Sequence, residues 1–72
     1  MKRGYYLIKD CYGEYIAYWD GSTGEILPYI MKIIKWIKRG VYWTHLVGWT
    51  GVEYKSIVRE VTEDELILEL LE

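Results

Sequence analysis

The residues of this chain best suited to chemistry are His45, Cys11 and the acidic run Glu63-Asp64-Glu65. His45 is the single histidine and Cys11 the single cysteine. A metal centre needs several His, Cys or carboxylate ligands converging on one point, and one histidine between Thr44 and Leu46 does not supply them. A nucleophilic cysteine needs an activating base at a legible spacing, and none accompanies Cys11. The acids follow Thr62 in capping-box order, so they are explained as the first turn of a helix rather than as paired catalytic carboxylates. Gly21 and Gly24 lack the Lys-Ser/Thr that completes a phosphate loop. These residues predict a protein that is not an enzyme and that carries no metal or cofactor.

Two other sets of side chains remain, one aromatic and one basic. Four Trp and eight Tyr occur without a single Phe, so every aromatic side chain also brings a polar group that seeks a partner or water. Such rings suit half-buried positions and contact surfaces, and Tyr5, Tyr18, Tyr42, Trp43 and Trp49 are the candidates for a protein interface. Lys32, Lys35, Lys38 and Arg39 recur at near-helical spacing, and with Lys2 and Arg3 they are the candidates for phosphate contact. Charge weighs against that second use. Residues 1–40 hold seven Lys or Arg against four Asp or Glu, whereas residues 41–72 hold two against seven. The net charge of −2 sets an overall repulsion against phosphate that only one face opposes. A protein partner or homo-oligomer is therefore the first expectation, and nucleic acid or a ribonucleoprotein the second.

The elements that must position these residues follow from the patterning. Tyr5 to Lys9 and Glu14 to Trp19, separated by Asp10-Cys11-Tyr12-Gly13, predict a β-hairpin. From Glu25 to Arg39 the apolar residues Ile26, Ile30, Ile33, Ile34 and Ile37 fall at helical spacing, with Pro28 in the first turn and Gly40 at the end. That predicts an amphipathic helix. Val41 to Trp49 and Val52 to Val61 predict a second hairpin about Thr50-Gly51, and Thr62 onward predicts a short terminal helix. The order is ββαββα: an α+β class domain over residues 1–72, built on a small antiparallel sheet of two hairpins with a helix between them. Rings on both faces of those hairpins leave apolar surface over, unless the terminal helix folds back to cover one face.

Composition sets the remaining bounds. At 51% apolar and 28% charged the chain is globular. The absence of Asn and Gln suggests a thermophilic source. The longest apolar stretch, Ile26 to Ile37, is interrupted by Pro28, Lys32 and Lys35, so no membrane span is expected, and no signal peptide is visible. A cytoplasmic protein is the expectation.

Overall fold

The computed structural model describes residues 1–11, 13–22, 24, 27–39 and 48–71. The element order is β1 (Gly4–Asp10), β2 (Gly13–Trp19), β3 (Tyr29–Arg39), β4 (Trp49–Val52), a 3₁₀ turn (Tyr54–Ser56), β5 (Ile57–Val61) and α1 (Glu63–Leu71). The five strands form one antiparallel sheet in the order β4-β3-β2-β1-β5. The expected ββαββα arrangement is thereby corrected: the described part of the predicted central helix is the longest strand of the sheet. Pro28 precedes that strand rather than opening a helix, and Thr50 and Gly51 lie inside β4 rather than in a turn. The first hairpin and the terminal helix form where the patterning places them. The strand expected over Val41 to Val47 lies outside the described residues.

Two β-bulges explain why β3 reads as a helix. Across β2 and β3 the partners are Glu14 with Lys38, Tyr15 with Trp36, Ile16 with Lys35, Ala17 with Ile33 and Tyr18 with Lys32. Ile37 and Ile34 are the extra residues, one between each pair of shifted partners. A regular strand turns every second residue to the same side, but a bulge adds one, so Lys32, Lys35 and Lys38 share a face at steps of three. That step imitates a helix.

The connection from β4 to β5 bends the sheet. These strands run in the same direction at opposite edges, and a flat five-stranded sheet would set them about 19 Å apart at ~4.8 Å per strand. Glu53 to Ser56 includes a 3₁₀ turn and reaches only about 12 Å, at ~2 Å per 3₁₀ residue and ~3.3 Å per extended one. The sheet therefore coils until its edges approach. Its inner face packs Tyr6, Ile8, Tyr15, Ala17, Trp19, Tyr29, Met31, Ile33 and Val52, with Trp36 and Ile57 against them. Ring contacts run through this core, with Trp36 at 4.8 Å from Tyr15 and Tyr29 at 5.1 Å from Trp19. The Tyr15 hydroxyl donates to Asp10 Oδ2 at 3.0 Å and lies within hydrogen-bonding reach of Thr50. One side chain thus ties β1, β2 and β4 together.

The outer face carries α1. Leu66 is the one buried residue of the helix, and it packs with Ile16 and Val61 against Tyr5, Leu7 and Ile34. Thr62 caps the helix by accepting the Glu65 N–H at Oγ1, 3.2 Å, while Glu65 returns its carboxylate to the Thr62 hydroxyl at 3.3 Å. This is the fold-back that covers part of the second sheet face.

Candidate functional site

Cross-strand pairing assembles the candidate residues into one line. On the outer face Trp49 pairs with Lys32, Lys32 with Tyr18, Tyr18 with Tyr5, and Tyr5 with Val61, so a single row crosses all five strands. Paired residues on one face bring their Cβ atoms to about 4.5–5.5 Å, within which aromatic and long side chains touch. The Tyr5 and Tyr18 rings meet at 5.0 Å, tilted by 49°. Trp49 is 55% exposed, and Lys32 beside it is exposed. Residues drawn from three separate segments of the chain become one aromatic and cationic strip.

The neighbouring row is occupied. It runs Arg59, Leu7, Ile16, Lys35 across β5, β1, β2 and β3, and α1 lies over it. Arg59 Nη1 reaches Glu65 Oε2 at 2.7 Å on one side of the helix. On the other, Lys35 Nζ donates to the Glu69 carbonyl and sits 4.0 Å from Glu69 Oε2. Glu65 and Glu69 are one helical turn apart, so the two cations straddle α1. The Arg59 guanidinium, donating to the Glu65 carboxylate, is the main reason the Glu65 pKa lies below its ordinary value.

The basic candidates therefore divide. Lys32 and Lys38 stay exposed on the outer face, and neither forms a salt bridge among the described residues. Lys38 faces Glu14 across the β2–β3 pair, and Lys35 is held by α1. Lys2 stands at the far edge, 3.8 Å from Glu60, and its carbonyl accepts the Tyr6 hydroxyl. Arg3 lines a cleft of about 390 Å³ with Tyr5, Tyr18, Glu60 and Glu63, where acids offset its charge. It also lies against Gly21, whose φ of +80° suits glycine and where a Cβ would meet Arg3 Nε at 3.2 Å. Arg39 ends β3 with its backbone opposite Gly13. Tyr42, Trp43 and His45 lie outside the described residues.

Sequence reasoning did not single out Arg59. Arg59 becomes legible only once β5 is known to lie beside β1. Ile37, 41% exposed, widens the apolar surface of β3 beside Lys38. Among the described residues no group of three His, Cys, Asp or Glu side chains is placed to hold a metal ion, and Cys11 lies exposed in the first hairpin turn. No helix among them is long and apolar enough to cross a membrane. No family model matches the chain, and neither a curated protein nor a solved structure matches it.

Proposed function

We propose that this chain is a non-enzymatic interaction module that docks a partner protein through its outer sheet face, with Trp49, Lys32, Tyr18 and Tyr5 at the centre of the contact. The observation that supports this reading is the continuous cross-strand row, which ends in a Trp 55% exposed on a four-residue edge strand. Trp and Tyr dominate interface hot spots because they bury a large apolar area and still satisfy a polar group. Local charge favours protein over phosphate. Lys35 is engaged by Glu69 and Lys38 faces Glu14, so among the described residues Lys32 is the one cation of the β3 trio without an acid set against it.

Affinity capture from the native cell, run in parallel with unmodified chain and with Trp49→Ala, tests the proposal. The unmodified chain retains a protein partner at moderate salt, and Trp49→Ala weakens retention by about 30-fold, the equivalent of a hot spot near 2 kcal/mol. Full retention by Trp49→Ala refutes it.

The bulges that gather Lys32, Lys35 and Lys38 on one face favour a second reading, nucleic-acid or ribonucleoprotein binding by the same face. With Lys35 engaged, about two phosphate contacts remain, and the log-log salt slope on duplex DNA would be about −1.8. Such shallow, sequence-independent binding is separable from an aromatic protein contact by a salt titration.

A further inference from the structure

Helix α1 is held in an unusual way. It buries one apolar side chain, Leu66, while Ile67, Leu68, Leu70 and Leu71 are 54%, 65%, 55% and 79% exposed. An amphipathic helix resting permanently on a sheet turns its apolar residues inward and its charges outward. In α1 that distribution is largely reversed: Glu65 and Glu69, both partly buried, face the sheet cations, and most of the leucines face away. The surface beneath is the better formed of the two. It comprises an apolar floor of Tyr5, Leu7, Ile16, Ile34 and Val61, bounded by Arg59 on β5 and Lys35 on β3, three strand spacings or about 14 Å apart.

We infer that this floor, with its two cationic walls, is a cradle for an acidic amphipathic helix of a partner protein, and that α1 is the occupant a partner displaces. The inference rests on the reading of the chain as a protein-binding module. The partner helix carries the pattern that α1 displays in place, an acid, a leucine next to it and a second acid four residues after the first, as in Glu65, Leu66 and Glu69. Charge complementarity selects this occupant, because a basic helix would set its cations against Arg59 and Lys35. A partner with further apolar residues turned inward adds to the packing on Tyr5, Leu7 and Ile34 that α1 supplies through Leu66 alone. The cradle adjoins the row of Trp49, Lys32, Tyr18 and Tyr5 through Tyr5, so one partner can engage both.

A labelled peptide of residues 62–72, titrated onto the full chain, tests the cradle. Against unmodified chain it competes with a helix already tethered beside the site, at an effective concentration in the millimolar range, and binds weakly. Against Leu66→Ser, in which α1 has lost its buried contact, the peptide binds at least tenfold more tightly. Adding Lys35→Glu and Arg59→Glu to Leu66→Ser removes that binding. If Leu66→Ser lacks a cooperative melt, Glu65→Gln with Glu69→Gln replaces it and the same gain is expected. Equal binding to unmodified and loosened chains, or binding indifferent to Lys35 and Arg59, overturns the cradle. Sedimentation showing that unmodified chain dimerises, and that Lys35→Glu with Arg59→Glu abolishes the dimer, would instead make a second copy the occupant and overturn the assignment to a partner. Trp49→Ala leaves peptide binding unchanged, so failure of the cradle and failure of the Trp49 contact give different results.

Discussion

Substituting Ile33 and Ile37 separately by Ala distinguishes the bulged strand from a helix. Both are isoleucines in one segment, and the periodicity of the sequence puts both on the buried side of a helix. The structure separates them: Ile33 is 7% exposed within the inner core, whereas Ile37 is 41% exposed as the extra residue of a bulge. Ile33→Ala removes three carbons from a closed site, about 2.4 kcal/mol at ~0.8 kcal/mol per methylene, and the cavity left behind raises the loss to about 3–4 kcal/mol. Ile37→Ala forfeits about 60% of the transfer contribution and encloses no cavity, for a loss of about 1.4 kcal/mol. The lower β-propensity of Ala is common to both, so the difference between the variants isolates burial. Urea unfolding followed by tryptophan fluorescence gives each value, provided the denaturant slope is unchanged. Equal losses at the two positions would refute the bulge at Ile37 and the inner face assigned to β3.

Three further outcomes follow from single contacts. Burial, and next the neighbouring Asp10 carboxylate, hold the Tyr15 pKa above its ordinary value of 10, so the folded state keeps a proton that the unfolded chain releases. Stability from this group is complete below pH 10 and declines as pH rises beyond it; thermal melts of Tyr15→Phe should fall less steeply in that range, and equal slopes would exclude Tyr15 as the cause. Glu65 has the opposite sign. Its depressed pKa contributes stability above the ordinary value of 4.5 that is lost as pH falls through the folded-state value, so amide exchange across residues 63–71 should accelerate there and respond less in Arg59→Ala. Thr62→Ala removes the cap on the Glu65 N–H and should cost about 1 kcal/mol, seen as faster exchange in the first turn of α1 with β1 and β2 unaffected.

The parts of the fold written in local chemistry were legible. Asp10 to Gly13 predicts the hairpin between β1 and β2, and Thr62 with Glu65 predicts the start of α1. The central segment was not, because two bulges restore a three-residue spacing that strands otherwise lack. A contrary signal was present. Ile30, Ile33, Ile34 and Ile37 are β-branched, and side chains stiff at χ1 favour a pleated surface over a helix. The pairing of β1 with β5 has no local signature at all, since it depends on the 3₁₀ turn bending the chain between opposite edges of the sheet. Without that pairing Arg59 reads as an isolated surface cation, and the two walls around α1 cannot be seen. The candidate rings Tyr5, Tyr18 and Trp49 were identifiable by type, but their alignment required the register.

That register also decides where unsatisfied surface lies. Rings on both sides of the first hairpin imply more apolar area than one core absorbs, and the inner face takes Tyr6 and Tyr15 while α1 covers much of the rest. Toward β4, Trp49 stays exposed beside Lys32. An exposed Trp on a short edge strand offers apolar area together with an indole N–H, and the adjacent ammonium opposes uncontrolled edge-to-edge pairing of copies. On the proposed reading, the cation protects the free chain and favours an acidic partner. Converting Lys32 to Glu keeps a charge beside the edge strand β4 and reverses its preference, so solubility should persist while affinity for the proposed partner falls.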